Sequence, residues 1–319
     1  TMDVYTLKNK NLEPVKIIPF KKEKEIQELV EKNTMALFGV DFVSSEFTIE
    51  EFRIDTLCFD HENNSFVIIE YKKGSSYSVI DQGYSYLSKM LNNKDSFILE
   101  YCKKKNVSVD IEIDWRESRI IFVSPSFNAY QKNSVNFQDI PFELWEIKQF
   151  SNGSIVLNQH LSRSNQSIKK VTKGKESVIQ SVNNEVTVYS EEDTLKLKKV
   201  NSNIKELYYD LKERISHWDD FNVNPKKNYI SFTRNKKAFV FLNFRKNFIR
   251  VHMLSYAKTK WDGSREKVPS KNKFILVDPE KMFKISENEY KVLYEFDLKE
   301  DKNLEYFSLM LKQKFDYVG

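Results

Sequence analysis

Asp55, Glu70 and Lys72 are the residues of this chain whose types and spacing suit chemistry. Asp55 lies in the run Arg53-Ile54-Asp55-Thr56-Leu57, and Glu70 ends the apolar part of Ile68-Ile69-Glu70-Tyr71-Lys72. Side chains at i and i+2 of a strand point the same way, so Glu70 and Lys72 share a face and Tyr71 takes the other. If the run through Asp55 pairs beside that strand, two carboxylates, the Tyr71 carbonyl and an ammonium group meet at one point. That set suits a hard divalent cation with a water beside it. A lone Glu-x-Lys is common in strands and ordinarily reads as an exposed edge pair. Here the glutamate follows Phe66-Val67-Ile68-Ile69, and charged residues seldom close a buried strand without a partner or a task.

These residues need a sheet and a flanking helix to hold them. Asp3 to Phe20 reads as short strands around Pro14. Glu23 to Phe38 reads as one helix, with Ile26, Leu29, Val30, Leu37 and Phe38 at helical spacing and Gly39 as its stop. Three strands follow, over Phe42–Ile49, Phe52–Asp60 and Ser65–Lys72, then a helix from Ser78 to Leu91. Gln82 and Tyr86, spaced i and i+4, share a face of that helix. Phe97 to Lys104 reads as a second helix and Arg119 to Val123 as a buried strand. A helix over Phe127–Asn133 and strands at Phe142–Gln149 and Ile155–Leu157 complete the unit. The order helix, three strands, helix, strand describes an α/β core.

The pattern Asp55-x14-Glu70-x-Lys72, with Gln82-x3-Tyr86 on the next helix, resembles the PD-(D/E)XK nuclease superfamily. The Gln-x3-Tyr element is similar to its RecB-like branch and to NucS-type families. The resemblance runs from about Glu23 to Phe150. It implies a restriction-endonuclease-like core that hydrolyses DNA phosphodiester bonds with Mg²⁺ or Mn²⁺, in restriction-type defence or repair. Under it, Asp55, Glu70 and the Tyr71 carbonyl hold the metal. Lys72 orients the attacking water or offsets charge, and Gln82 and Tyr86 face the site. It also places a glutamate late in the first helix, shortly before an asparagine such as Asn33. That favours Glu31 over Glu25, Glu28 and Glu46. Ile54 stands where the family often has proline, a position that varies within it. The competing reading is a degenerate core that binds nucleic acid or a partner without cutting.

The full chain, 319 residues, has room for two domains. Residues 1–160 read as the core, 161–195 as a polar linker, and 196–319 as a second, α+β domain. The second domain opens on a helix over Asn201–Trp218. Strands follow at Tyr229–Thr233, Ala238–Phe244, Phe248–Leu254, Lys273–Val277 and Lys291–Phe296, with a closing helix at Asn303–Phe315. It resembles an uncharacterised domain found behind such nuclease cores. The role expected for it is nucleic-acid binding or dimerisation. The net charge of +5 is concentrated here: between Phe221 and Ile275 only Asp262 and Glu266 oppose the basic residues. Arg234, Lys236, Lys237, Arg245, Lys246 and Arg250, with Lys73 in the core, are the candidate phosphate contacts; a solvated lysine surface is the alternative. Cutting both strands of DNA needs two sites, so a homodimer is expected; RNA is the alternative substrate.

Other classes recede. No GxxxxGK[ST] or GxGxxG occurs, and the histidines form no HExxH. Cys58 and Cys102 fit no metal spacing and read as buried thiols in a reducing cytoplasm. No apolar run approaches a membrane span and no signal-peptide pattern is present. The opening Thr1-Met2 reads as a native start at Met2.

Overall fold

The computed structural model describes residues 4–73, 78–107, 111–137, 139–162, 164, 166–168, 178–218, 221–235, 237–256, 273–288 and 291–319. The chain divides into two units, Thr1–Val188 and Tyr189–Gly319. Both mix helices and sheets.

Unit 1 opens on a hairpin of β1 (Val4–Lys8) and β2 (Asn11–Val15), followed by β3 (Ile17–Ile18). The single helix expected over Glu23–Phe38 is two, α1 (Glu23–Glu31) and α2 (Thr34–Phe38). Asn33 breaks the run. Its backbone leaves the helical region, and its side-chain amide donates to the Leu29 carbonyl, the local competition that makes asparagine a poor helix interior. Gly39 then ends α2 at φ 70°, where a side chain would be strained.

Strands β4 (Asp41–Ile49), β5 (Phe52–Asp60) and β6 (Ser65–Tyr71) form an antiparallel meander. Helix α3 (Val79–Asn92) starts at Ser78, whose hydroxyl accepts from the Asp81 N–H, and α4 (Lys94–Lys105) follows. Then come β7 (Arg119–Ser124), α5 (Ala129–Ser134), β8 (Phe142–Phe150), β9 (Ile155–His160) and α6 (Val178–Glu185). The sheet order is β3-β8-β7-β6-β5-β4, with β9 also on β8. Strands β6, β7 and β8 run parallel. Every residue of β6 is buried, as a central strand covered on both faces requires. Ile26, Val30 and Phe38 of α1 and α2 pack on Val67, Ile69 and Tyr71. On the other face Leu87, Met90 and Phe97 of α3 and α4 pack on Leu57, Phe66 and Ile68. Within the stretch read as a polar linker, α6 packs on α3 and buries Val182 in this core.

Unit 2 contains α7 (Glu191–Leu197), α8 (Ser202–Ile215), β10 (Asn222–Pro225), β11 (Ile230–Arg234), β12 (Lys237–Arg245), β13 (Phe248–Tyr256), β14 (Lys284–Asn288), β15 (Lys291–Leu298) and α9 (Leu304–Val318). Its antiparallel sheet has the order β10-β11-β12-β13-β15-β14. Phe232, Leu242, Phe244, Val251 and Met253 meet Leu207, Leu211, Phe307 and Leu311 of the helices. The strand expected at Lys273–Val277 has no strand assignment, and among the described residues it pairs with no strand. Its buried amides go to side chains: Phe274 N–H to Ser255 Oγ and Leu276 N–H to the Tyr294 hydroxyl. Strand β14 escaped the sequence reading because all five of its residues are exposed, so it carries no apolar alternation. No helix among the described residues is long and apolar enough to cross a membrane.

Gly83 fixes how close α3 comes to the sheet. A Cβ at this position would lie 2.6 Å from the Phe142 ring, which is itself buried. We expect Gly83→Ala to lower the unfolding free energy by about 1–3 kcal/mol, read from urea denaturation. An unchanged midpoint would show that the helix shifts freely.

Candidate active site

The β5–β6 ladder runs from Asp60↔Ser65 to Thr56↔Ile69 and stops there. Its end coincides with an irregularity in β4, where Glu46 adopts φ 51° and is left out of the pairing with β5. Past this point the Tyr71 N–H donates to the Asp55 carboxylate at 3.2 Å. A side chain has replaced a backbone acceptor, and Asp55 is held at the mouth of the gap between the strands. The next position on β6, one back from Tyr71, is Glu70.

Glu70 is 4% exposed. Its Oε1 accepts from Lys72 Nζ and from Gln82 Nε2, each at 2.8 Å. Gln82 Nε2 also lies 3.2 Å from the Tyr86 hydroxyl, which donates to the Arg53 carbonyl at 3.4 Å. The i and i+2 alternation of β6 and the i and i+4 stacking on α3 thus bring Glu70, Lys72, Gln82 and Tyr86 together. Two buried oxygens here, Glu70 Oε2 and Gln82 Oε1, have no hydrogen-bond partner. Such atoms are costly to leave unmatched.

Burial pushes the Glu70 carboxyl up to about 7; the Asp55 charge adds to the rise and Lys72 opposes it. Asp55 is raised too, first by burial, against the pull of the Tyr71 N–H and Lys72. Burial also raises the Tyr86 hydroxyl, with the Glu70 charge second, so it stays a neutral donor.

Tyr71 turns its ring to the other face. There its hydroxyl is 3.0 Å from Thr56 Oγ1, and Thr56 donates to Glu31 at 2.6 Å. Gln27 donates to Glu31, to Ser45 Oγ and to the Asp55 carbonyl. Glu31 therefore reaches Asp55 through the backbone, from the α1 side, and its carboxylate is occupied by Thr56 and Gln27. Of the other glutamates weighed, Glu25 takes the Lys21 N–H, Glu46 pairs with Lys24 at 2.7 Å, and Glu28 is exposed. Gln27 was not singled out from sequence. The available signal was its position one turn before Glu31, between the core residues Ile26 and Val30.

The basic candidates fall into different settings. Lys73 gives its N–H to Glu23 and its ammonium to the Lys21 carbonyl. Arg234 donates to the Phe315 carbonyl and lies 4.1 Å over that ring. Arg250 forms a two-point pair with Asp297 at 2.8 and 3.0 Å. Lys237, Arg245 and Lys246 are exposed, and Lys236 lies outside the described residues.

Among the described residues no three His, Cys, Asp or Glu side chains form a group able to hold a metal ion. The site offers two carboxylates and neutral oxygens instead. That donor set fits Mg²⁺, which takes one or two carboxylates and keeps several waters. The unmatched Glu70 and Gln82 oxygens are acceptors, as a cation or its bound water requires.

The chain is 44% identical over 238 residues to a protein of Haemophilus influenzae described as an uncharacterized protein, covering 74% of this chain and 78% of that one. Residues 191–277 match the family model of a domain of unknown function, DUF5655. Among solved structures, a repair endonuclease from Pyrococcus abyssi is similar at 22% identity and a TM-score of 0.22, over 36% of this chain and 43% of that one. The structure titled EndoMS-dsDNA2 complex is similar at 18% identity and a TM-score of 0.24, over 41% of this chain and 47% of that one. The chain spans less than half of each of these two solved chains.

Glu70 generates a stability prediction for metal-free protein. Folding raises its proton affinity from the ordinary 4.5 to about 7, so its stabilising share is present at low pH and is lost as pH climbs through that window. Glu70→Gln removes this loss. We expect the variant to gain on the wild type from pH about 5 to 7 and to hold that gain above, measured by urea unfolding in EDTA. Parallel pH profiles would overturn the buried-carboxylate account.

Proposed function

The chain belongs to the family of the Haemophilus influenzae relative, and from the site in unit 1 we propose that it is a metal-dependent nuclease that hydrolyses DNA phosphodiester bonds. The observation that carries this reading is the meeting of Asp55 and Glu70 where β5 and β6 part, with Lys72 2.8 Å from Glu70. DNA as substrate rests on the PD-(D/E)XK resemblance, with RNA as the alternative to be separated by competition.

Asp55, Glu70 and the Tyr71 carbonyl would hold Mg²⁺ or Mn²⁺, and Gln82 Oε1 would accept from a water bound to it. When bound, the cation supplies charge neutralisation at a phosphoryl oxygen and a more acidic water. Lys72 has its own part. Its ammonium is drawn to Glu70 at the rim of the sheet, 12% exposed, where it can orient the attacking water or offset the growing charge of the transition state. Gln82 fixes the Glu70 carboxylate by hydrogen bonding, Tyr86 contacts Gln82 and the Arg53 carbonyl beside it, and the buried walls of β6 and α3 restrict bulk water. Glu31 has a positioning role: it holds Thr56 and, through Gln27, the backbone at Asp55.

One observation favours a second reading. The described residues place no third acidic side chain beside Asp55 and Glu70, which suits a core that binds nucleic acid without cutting it. Salt-sensitive DNA binding with no cleavage under Mg²⁺ or Mn²⁺, unaffected by loss of both carboxylates, is the outcome that would select it.

The direct test incubates plasmid and single-stranded DNA with each metal. Asp55→Ala, Glu70→Ala and Lys72→Ala are each expected to slow cleavage by at least about 100-fold, and Gln82→Ala by about tenfold, the worth of one hydrogen bond. Equal cutting by all of these proteins would assign the activity to a contaminant. Mg²⁺ affinity should also strengthen as pH rises to about 7, because Glu70 must lose its proton to bind. Calorimetry that finds no pH dependence in that range would remove Glu70 from the ligand set.

A further inference from the structure

Unit 2 gathers positive charge at one place without neutralising it. Three segments are tied together there by hydrogen bonds. The turn between β10 and β11 is closed by the Lys226 N–H donating to the Tyr229 carbonyl. Thr194 Oγ1 of α7 donates to the Lys226 carbonyl at 2.8 Å, and Lys198 Nζ, just past α7, donates to Asn228 Oδ1 at 2.7 Å. The turn between β12 and β13 joins from the other side: the Asn201 N–H donates to the Lys246 carbonyl, and the Asn201 amide to Asn247 Oδ1. Lys198, Lys227, Arg245 and Lys246 therefore sit on neighbouring segments at one end of the sheet.

Several other basic residues of unit 2 are matched by carboxylates. Arg250 is matched by Asp297, Lys205 by Glu192 and Lys212 by Glu191. Among the described residues no ion pair engages Lys198, Lys227, Arg245 or Lys246. Lys227, Arg245 and Lys246 are exposed, and Lys198 is partly buried between α7 and the turn. Burial, then Arg245 and Lys227, hold the Lys198 ammonium below the usual lysine range, so these charges feel one another. A helix C-terminus favours one lysine, and Lys198 at the end of α7 is placed for that. It does not account for Lys227 and Arg245 converging on it from two separate turns.

We propose that the Lys198–Lys227–Arg245 cluster, with Lys246 at its edge, is a binding surface for the phosphodiester backbone of a nucleic acid. Closely spaced cations with no carboxylate partner fit a polymer that carries regularly spaced negative charge, and each phosphate they neutralise releases counterions. Tyr229, from the same turn as Lys227, sets its ring edge-on against Phe241 at 5.4 Å and anchors the turn to β12. The choice of a nucleic acid over another polyanion draws on the reading of unit 1 as a nuclease; the cluster itself does not. It adds Lys198 and Lys227 to the residues that composition suggested and sets aside Arg234 and Arg250, whose charge is spent inside the unit.

The test measures fluorescence anisotropy of labelled single-stranded and duplex DNA on the full chain in EDTA, between about 50 and 200 mM salt. Combining Lys198→Gln, Lys227→Gln and Arg245→Gln is expected to weaken binding at least about tenfold at low salt and to flatten the log–log salt slope by about 2–3. Lys302→Gln, an exposed lysine paired with Glu300, should change neither. If the triple variant does not fold, Lys227→Gln alone must still flatten the slope by about 1. An unchanged slope in the triple variant, or in Lys227→Gln, overturns the proposal. So does poly-glutamate competing as well as DNA at equal charge, which would point to an acidic protein. The two readings fail separately. DNA that binds through this cluster but is never cut removes the nuclease and leaves the surface; DNA that is cut while the triple variant binds like the wild type does the reverse.

Discussion

A single carboxylate, Glu70, sits near the end of a strand buried on both faces, and unit 1 is arranged around that fact. Removing a carboxylate from water costs several kcal/mol unless partners replace the lost solvation. Here the replacement is incomplete. Lys72 and Gln82 serve one oxygen, the other is left without a donor, and Asp55 adds a like charge. The strain is tolerated because the rest of β6 is secured by apolar cover from α1 and α2 on one side and α3 and α4 on the other.

The opposite end of the same strands shows what a closed polar cluster looks like. Asp60, at the far end of β5, meets Arg119 at 2.8 Å, and Arg119 reaches Glu143 at 2.8 Å as well. Asp60 also accepts the Glu62 and Asn63 N–H groups of the adjoining turn. In that cluster every carboxylate oxygen has a donor, and Arg119 ties three strands together. The Asp55 and Glu70 end lies at the carboxyl end of parallel strand β6, where open α/β sheets commonly place their ligands. One sheet thus carries a fully matched polar cluster at one end and an under-matched one at the other. The difference lies in whether every buried carboxylate oxygen finds a donor.

Unit 2 follows the same contrast on its surface. Across β13 and β15, Arg250 pairs with Asp297 and His252 lies 2.9 Å from Glu295, so these polar groups find partners across the sheet. At the turns beside α7 the basic residues face one another instead. Composition gave Arg250 the same weight as Arg245 and Lys246, because a count of lysines and arginines does not record which carboxylates fold against them.

Much of this was legible in the chain. Periodicity located most of the strands and helices to within a few residues, since apolar spacing of two or near four is a direct consequence of which face must leave water. The grouping of Glu70 with Lys72, and of Gln82 with Tyr86, followed from the repeat of strand and helix alone. Other features depended on contacts between distant segments. The break of the first helix at Asn33, the unpaired course of Lys273–Val277 and the exposed strand β14 turn on hydrogen-bond partners or on strand pairing that carries no apolar pattern. Only the folded arrangement decided that the ladder ends at Thr56, that Asp55 caps the Tyr71 amide, and that Glu31 is engaged by Thr56 and Gln27 on the far side of the sheet. Local sequence determines which way a side chain points along its own element. Register and charge matching are set between elements, and those energies exist only once the elements have met.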